Sequence, residues 1–353
     1  MNLAPHRDPE EDEPEPARSA DRPAQTALHR EAVVIDGLQI ANWSPAIFGQ
    51  MHEAGLTAVN CTCCVWEGFD ATMANVAQLR AWVRADSDRL LLVQRASDIQ
   101  EAKLTGRVGL ILGWQNLSAI EDQLHRIDLF RSLGVGVAQI AYNTQNLVGT
   151  GCYESHDGGL SDFGHDALAE MNRVGILADL SHVGPVTTRD VMRASQQPVV
   201  FSHTAPAALN PHPRNKTDDE IREVAEHGGL TGVTMFPWLL RRGNQSTLPD
   251  YLDAIEYMVN VAGEDHVAIG TDFVDGHGPA FFEWLLRDKG YGRALVKRPL
   301  AELVDVRLPE RISCIAEWPN LTAAMEERGW SDTRIRKIIG ENWIRVFQEV
   351  WGG

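Results

Sequence analysis

Two histidines and one aspartate each end a short apolar run of this sequence. His182 ends the run GILADLSH, His203 ends PVVFSH, and Asp272 ends HVAIGTD. If these runs are parallel strands of a barrel, their last residues meet at one mouth, where the loops gather catalytic groups. Two imidazoles and a carboxylate form a ligand set that binds a divalent metal and leaves positions open for water or substrate. The sequence therefore predicts a metal site at His182, His203 and Asp272, in which Asp272 either ligates the metal or moves protons.

Three further polar residues are candidates for binding a substrate. Arg214 lies in the polar stretch HPRN that follows the run ending at His203. A guanidinium binds a carboxylate through two parallel hydrogen bonds. The presence of Arg214 therefore indicates a small substrate that carries a carboxylate. Gln115 and Tyr142 stand at the ends of two other apolar runs. We expect both to orient the substrate, and Tyr142 to act with Asp272 in catalysis.

The elements that must position these residues alternate between two kinds. Eight short apolar runs, typical of parallel strands buried on both faces, are separated by segments with apolar residues at helical spacing, such as 162–173 and 217–227. Eight such units predict an α/β fold of the (β/α)8 TIM-barrel type, and the phosphate-binding patterns of doubly wound sheets do not occur. The predicted strands cover 32–37, 56–63, 108–114, 136–142, 175–182, 198–203, 229–236 and 266–272.

The chain divides into an N-terminal tail and one domain. Residues 1–26 contain five prolines and an acidic run with little to bury, which predicts a disordered tail. Residues 27–353 are predicted to form a single barrel domain. The stretch from roughly 303 to 351 is expected to form helices that close over the barrel.

Composition excludes several classes of protein. The 353 residues are 44% hydrophobic and 23% charged, with a formal net charge of −17 that disfavours binding to nucleic acid or an anionic membrane. No apolar stretch approaches the roughly 20 residues of a membrane helix, and the N-terminus does not resemble a secretory signal. We therefore expect a cytoplasmic protein. Cys61, Cys63 and Cys64 are expected to be reduced thiols packed in the barrel.

Several aromatic residues are expected in loops at the barrel mouth, where they could form the wall of an apolar substrate pocket or pack against helices. They are Trp66, Phe69, Phe236, Trp238, Phe281, Phe282 and Trp284.

A series of short motifs runs in order along most of the chain. They are Gly159-Leu160-Ser161-Asp162-Phe163-Gly164, Met171-Asn172-Arg173-Val174-Gly175, Asp179-Leu180-Ser181-His182, Ser202-His203, His212-Pro213-Arg214-Asn215, Asp218-Asp219, Gly228-Gly229, Ile269-Gly270-Thr271-Asp272-Phe273 and Gly340-Glu341-Asn342-Trp343-Ile344-Arg345-Val346. Their order and spacing resemble the membrane (renal) dipeptidase family of zinc peptidases, within the amidohydrolase superfamily. The resemblance implies a metal-dependent hydrolase barrel, and a homodimer, which the family commonly forms.

The family holds two metals with a His-x-Asp pair after the first strand, a bridging Glu after the third, one His on each of the fifth and sixth, and an Asp after the eighth. The resemblance assigns the last three positions to His182, His203 and Asp272. It also assigns Arg214 to the arginine that receives the substrate carboxylate.

Four positions depart from the family pattern. Leu38 and Ile40 replace the His-x-Asp pair, Gln115 stands at the bridging Glu, and Tyr142 stands at a substrate-contacting His. Two divalent ions that lie close together repel and need bridging negative charge, which these side chains do not supply. The sequence therefore predicts at most one divalent metal per chain, zinc in the first place and iron(II) as the alternative.

Three functions remain open from the sequence. The leading hypothesis is a dipeptidase-like metallohydrolase that cleaves an amide or dipeptide-like bond in a small carboxylate-bearing substrate. The second is a mononuclear non-haem iron enzyme with oxidative or lyase chemistry on a small amino-acid-like substrate, because two histidines and a carboxylate also suit iron(II). The third is a metal-free barrel that serves as a binding or scaffold protein.

Overall fold

The computed structural model of the chain describes residues 24–286 and 305–352. Nine parallel strands form one sheet, and eight of them follow one another around a barrel in the order β1-β2-β4-β5-β6-β7-β8-β9. The predicted (β/α)8 barrel is confirmed, and each of the eight predicted runs contains a strand. The strands are β1 Ile35–Gln39, β2 Ala58–Cys64, β3 Leu90–Leu92, β4 Val108–Trp114, β5 Val135–Gln139, β6 Leu177–Asp179, β7 Val199–Thr204, β8 Leu230–Val233 and β9 Val267–Ile269.

The barrel is joined between its first and last strands by backbone hydrogen bonds just beyond β9. The amide of Asp272 donates to the carbonyl of Leu38 over 3.0 Å, and the amide of Ile40 donates to Phe273 over 2.9 Å. These bonds bring the residues that follow β1 next to those that follow β9. The ends of the two strands therefore share one part of the barrel mouth.

Strand β3 was not predicted. Its three residues pair with the first half of β4, while β5 pairs with the second half, so β3 lies off the path around the barrel. A three-residue strand between two helices is too short to show a period of its own.

Helices follow the strands as the apolar spacing predicted. Thr217 caps α8 with a hydrogen bond from the amide of Glu220, whose carboxylate accepts from the amide of Thr217. The helices are α1 Ala27–Glu31, α2 Pro45–Glu53, α3 Phe69–Ala85, α4 Ala96–Thr105, α5 His125–Ser132, α6 Asp162–Val174, α7 Pro185–Ala194, α8 Asp218–Glu226, α9 Leu248–Ala262, α10 Pro279–Leu286, α11 Pro319–Glu327, α12 Asp332–Arg336 and α13 Asn342–Trp351.

The last helix, α13, closes the barrel at the N-terminal ends of the strands. Trp343 and Phe347 belong to one buried cluster with residues at the beginnings of most barrel strands. The indole of Trp343 donates to the carbonyl of Ile269, and that of Trp351 donates to Gly136. Gly37 faces the Trp343 ring so closely that a Cβ there would overlap it. Because α13 fills this end, the opposite end is left for a site.

The predicted tail, residues 1–26, lies outside the described residues except for its last three, and the domain bounds stay a prediction. None of the helices in the described part of the chain is long and apolar enough to cross a membrane.

Candidate active site

The C-terminal ends of the strands surround a small cavity at the barrel mouth. Its volume is about 50 Å³, which holds a few water molecules, so a larger ligand enters only if part of the wall moves. Five residues that the sequence analysis selected lie on its wall, together with mostly apolar and aromatic side chains. They are Gln115, Tyr142, His182, Arg214 and Asp272.

His182 and His203 lie side by side, with His203 fully buried and His182 only 7% exposed. The Nε2 atoms of the two rings are 3.0 Å apart. This separation suits an N–H···N hydrogen bond. It also suits two ligands of one cation, since nitrogen ligands about 2.0 Å from a zinc ion lie roughly 3 Å from each other.

Asp179 supports His203 through the serines that precede the two histidines. Its carboxylate accepts hydrogen bonds from the backbone amide and the hydroxyl of both Ser181 and Ser202. Because the Ser202 hydroxyl donates to Asp179, its oxygen is left to accept from Nδ1–H of His203, 2.7 Å away. The lone pair of His203 is then on Nε2, which faces His182.

His182 reaches the same protonation state through Asn143. Its Nδ1 lies 2.7 Å from the side-chain oxygen of Asn143, to which a protonated Nδ1 donates. The two Nε2 lone pairs then face each other, and a proton or a metal cation between them removes the repulsion. Burial and the nearby Arg214 lower the pKa of both rings well below the ordinary imidazole value, which disfavours the proton. The pair is therefore suited to donate to one cation.

Asp272 is placed by a different support. It follows β9 with a φ of 61°, and its amide is bonded to β1, whereas the histidines are held through Asp179. Burial raises the pKa of the Asp272 carboxyl to about 7, and the charge of Arg214 opposes that rise.

The predicted three-ligand set is not assembled. Within residues 24–286 and 305–352, no three or more His, Cys, Asp or Glu side chains are grouped so that they could hold a metal ion. The structure thus brings His182 and His203 together and leaves Asp272 apart from them on the same cavity. The two roles predicted for Asp272, metal ligand or proton carrier, stay predictions.

Arg214 is buried, not placed on an exposed rim. It is 3% exposed, and its guanidinium donates to the backbone carbonyl of Ser181 and, over 2.7 Å, to that of His203. Its Nε has no hydrogen-bond acceptor among the described residues. The guanidinium therefore keeps unused donor capacity beside the cavity, as the binding of a carboxylate requires.

A second buried cation, Lys216, follows in the same loop. It is 2% exposed, donates to the carbonyl of Val183 over 2.7 Å, and lies over the ring of Phe201. Arg214 and Lys216 thus bind the carbonyls of the residues immediately before and after His182. Together they hold the backbone that carries this histidine.

Tyr142 and Gln115 complete the polar part of the wall. The Tyr142 ring stacks on His182, with ring centroids 4.0 Å apart, and meets Trp66 edge-on. Burial raises the pKa of Tyr142 well above its ordinary value, so its phenol stays protonated and available as a donor. The amide of Gln115 donates to the Thr62 hydroxyl over 3.1 Å, which orients this side chain at the cavity.

The side of the mouth formed by β1 is apolar. Leu38 and Ile40 are 2% and 6% exposed, and Ile40 lies on the cavity wall. Asp36, earlier in β1, accepts hydrogen bonds from Thr271 and from the Trp318 indole, so its carboxylate is used within the fold. These contacts fasten β1 to the end of β9.

A two-metal centre does not fit these residues. Leu38 and Ile40 offer no ligand atoms, and Gln115 offers a neutral amide instead of a bridging carboxylate. One cation fits the imidazole nitrogens of His182 and His203, with its remaining positions filled by water or substrate.

Most of the predicted aromatic residues do gather at the mouth. Phe236, Trp238 and Phe282 line the cavity, and Trp66, Phe281 and Trp284 belong to the same apolar cluster. Phe69 lies elsewhere, against Phe130 and Arg126. The three neighbouring cysteines are buried and free, in agreement with the sequence analysis.

Three residues of the site were missed by sequence reasoning: Asp179, Asn143 and Lys216. The serine before each histidine was the available signal for Asp179, because paired hydroxyls need an acceptor. Asn143 directly follows Tyr142 at a strand end. Nothing in the sequence marked Lys216, whose role comes from contacts across the fold.

A second groove, of about 300 Å³, lies between α9 and the loops that follow β7 and β8. Its carboxylates Asp253 and Glu256 pair with Arg328, and Asp250 pairs with Arg242. It contains none of the predicted site residues. The cavity at the barrel mouth is therefore the candidate site.

Comparisons with known proteins agree with this geometry. Residues 25–301 match the profile of the membrane dipeptidase family, peptidase family M19. The dipeptidase tcpJ of Claviceps purpurea (strain 20.1) is 29% identical over 283 residues, which cover 79% of this chain and 60% of that protein. The dipeptidase verJ of Clonostachys rogersoniana is 29% identical over 290 residues, covering 81% of this chain and 66% of that protein. The chain thus spans about three fifths to two thirds of the length of these curated relatives.

Solved structures show the same fold. An amidohydrolase from Pseudomonas aeruginosa has a TM-score of 0.88 at 50% identity, covering 92% of this chain and 98% of the other. A metallo peptidase from Rhodobacter sphaeroides, liganded with a phosphinate mimic of the dipeptide L-Ala-D-Ala, has a TM-score of 0.77 at 22% identity, covering 91% and 100%. At that identity the second likeness supports the fold alone.

Proposed function

Because the chain belongs to the membrane dipeptidase family, peptidase family M19, we propose that it is a metal-dependent hydrolase that cleaves an amide bond in a small, carboxylate-bearing substrate. The observation that carries this proposal is the convergence of His182, Arg214 and Asp272 on one cavity. Two other residues of the wall, Tyr142 and Gln115, are placed to orient the substrate.

Each side chain has a role that follows from its surroundings. Arg214 receives the substrate carboxylate with its unused donors. The Tyr142 phenol, which stays protonated, donates a hydrogen bond to the substrate. Asp272, with a carboxyl pKa of about 7, takes a proton from the attacking water and returns it to the leaving nitrogen.

His182 and His203 would hold one divalent metal, zinc or iron(II). When bound there, the metal would lower the pKa of a water molecule and polarise the scissile carbonyl. The surrounding chain keeps the two imidazoles neutral, since both Nδ1 atoms have hydrogen-bond partners and both rings are buried. This is the protonation state that metal ligation requires.

Metal analysis tests the metal centre. Protein purified without added metal is expected to contain close to one zinc or iron per chain, and the double variant His182→Ala, His203→Ala is expected to contain close to none. Two zinc ions per chain would contradict the mononuclear centre. Retention of metal by the double variant would show that the ligands are elsewhere.

Hydrolysis assays test the chemistry. Turnover of small amides that carry a free carboxylate is expected, and Arg214→Ala is expected to act mainly on KM if the arginine only binds. An equal loss from amides with and without the carboxylate would show that Arg214 does not receive that group.

A metal-free binding barrel is the second candidate, and it is favoured by the lack of a three-ligand group in the described part of the chain. Protein that never contains metal, and that binds such amides without hydrolysing them, would support this candidate against the first.

A further inference from the structure

Among the described residues of the cavity wall, Arg214 is the one strong anion-binding group, and most of the others are apolar. Arg214 is buried beside the cavity with an unused Nε–H donor. The apolar part of the wall includes Ile40, Phe236, Val274, Phe282, Leu285 and Leu286. A ligand that fits such a cavity carries a carboxylate at one end and an uncharged, apolar group at the other.

A free dipeptide has a different charge pattern. Its amino terminus is an ammonium group, and removing that group from water costs several kcal/mol unless a charge partner is present. Of the described residues on the wall, Asp272 carries the one carboxylate, and it is close enough to Arg214 for that charge to act on it. The apolar part of the wall offers an ammonium no ionic partner among the described residues.

The apolar wall stabilises an acyl chain instead. Burial of apolar surface contributes about 25 cal/mol per Å², which is roughly a three- to fourfold gain in affinity for each buried methylene group. Ile40 places such surface directly after β1, and Phe282, Leu285 and Leu286 extend it along α10. Because the cavity is small as it stands, these side chains must move to admit a chain.

We propose that the substrates of this protein are N-acyl amino acids with an aliphatic acyl group, not free dipeptides; this proposal rests on the amide-hydrolase function given above. Water supplies its hydroxyl to the acyl carbon, the carbon–nitrogen bond breaks, and the proton goes to the nitrogen. The products are an aliphatic carboxylic acid and a free amino acid. Arg214 binds the carboxylate of the amino-acid part, and the apolar wall binds the acyl chain.

The experiment compares substrates that share the same carboxyl-terminal residue. We expect kcat/KM for N-hexanoyl-alanine to exceed that for alanyl-alanine at least tenfold, and to exceed that for N-acetyl-alanine because more methylene groups are buried. Each compound is tested as the L and the D form of the terminal alanine. Equal or faster turnover of the dipeptide would overturn the proposal and leave the hydrolase function standing.

A charge placed on the apolar wall should reverse the preference. Leu285→Asp, on the apolar wall and away from the candidate metal ligands, gives an ammonium group a partner, so the ratio of kcat/KM for N-hexanoyl-alanine to that for alanyl-alanine is expected to fall at least tenfold. Val274→Asp, at a half-buried position of the same wall, is the second variant in case the first does not fold. Leu104→Asp is the matched control, because Leu104 is 85% exposed on α4. An unchanged ratio in both wall variants would contradict the proposal.

Binding measurements separate this proposal from the proposed function. If neither class of compound is hydrolysed but N-hexanoyl-alanine binds more tightly than alanyl-alanine in calorimetry, the hydrolase function fails and the ligand class is supported. If neither compound binds, both are overturned.

Discussion

The two sides of the barrel mouth differ in what their strands present. On the β6 and β7 side, Asp179 accepts hydrogen bonds from the serines that precede His182 and His203, and Arg214 donates to the carbonyls of Ser181 and His203. On the β1 side, Leu38 and Ile40 occupy the corresponding place and make no polar side-chain contact. One side of the mouth therefore has metal-binding imidazoles held by hydrogen bonds, and the other side has aliphatic side chains that cannot bind a metal.

Both sides of the mouth have a buried carboxylate that accepts several hydrogen bonds: Asp36 on one side and Asp179 on the other. Asp36 accepts hydrogen bonds from Leu38 on β1, from Thr271 after β9, and from the indole of Trp318, which precedes α11. Asp179 likewise accepts from Ser181 after β6 and from Ser202 on β7. Each buried carboxylate fastens two strand ends together. Each carboxylate therefore stabilises the fold, whether the neighbouring side chains at the mouth are imidazoles or aliphatic groups.

Asp179→Asn is expected to have the largest effect on stability and metal content. The amide cannot accept all four hydrogen bonds from Ser181 and Ser202, so unfolding in urea should show a loss of about 2–4 kcal/mol, and metal content should fall as His203 loses its orientation. Asp36→Asn is the matched variant on the β1 side, where we expect lost stability with metal retained. Equal loss of metal from both variants would break the comparison between the two sides.

Restoring ligands on the apolar side sharpens the comparison. The triple variant Leu38→His, Ile40→Asp, Gln115→Glu is expected to bind a second divalent ion, measured as metal per chain after dialysis, because it supplies two ligands and a bridging carboxylate. The same three positions changed to Ala are the control and should gain none. If the triple variant also gains none, then loops beyond these three residues have diverged.

Lys216→Met tests how His182 is held. The carbonyl of Val183 loses its donor, and the carboxylate of Glu220, 3.9 Å from the ammonium group, loses its ion-pair partner, so the free energy of unfolding should fall by about 1–3 kcal/mol. We expect roughly a tenfold lower kcat with little change in KM, since the substrate does not touch Lys216. The control, Lys337→Met, removes a surface ammonium that pairs with Glu264 and Asp265. A loss confined to stability would show that Lys216 does not position the histidine.

A pH dependence of stability is expected from Asp272. Its carboxyl pKa is raised to about 7 in the folded chain, so the folded state binds this proton more tightly than the unfolded state does. The resulting stabilisation is complete at acidic pH and is lost as the pH rises through about 7. Urea unfolding of chelator-treated protein should show this decrease, and Asp272→Asn should be less dependent on pH over the same interval. Identical profiles would show that the carboxyl titrates normally.

The sequence predicted the elements well where the pattern was long. The eight barrel strands follow from continuous apolar runs, and α6 and α8 from apolar residues at helical spacing with capping residues before them. Strand β3 was missed because three leucines between two helices have no distinguishing period. The predicted and observed ends of the strands differ, because hydrogen bonding to the neighbouring strand decides where a strand ends.

The sequence predicted which residues belong to the site, but not how they are arranged. The last residues of the apolar runs, His182, His203 and Asp272, were predicted to meet because the ends of parallel strands share one mouth, and Arg214 was predicted in the loop that follows. The sequence did not show how each residue is held: Asp272 is fastened to β1, while His182 is held by the loop after β7. Which groups meet depends on these separate supports.

By itself, the amino-acid order determined the barrel, its family and the uncharged side chains Leu38, Ile40 and Gln115 after the first and third predicted strands, because apolar periodicity and the identity of a side chain are local properties. Tertiary structure alone decided that the two imidazole nitrogens face each other, that Arg214 is buried with a donor to spare, and that Lys216 holds the backbone beside His182. These facts depend on atoms that are distant along the chain and come together when the strands close into a barrel, so no local pattern encodes them.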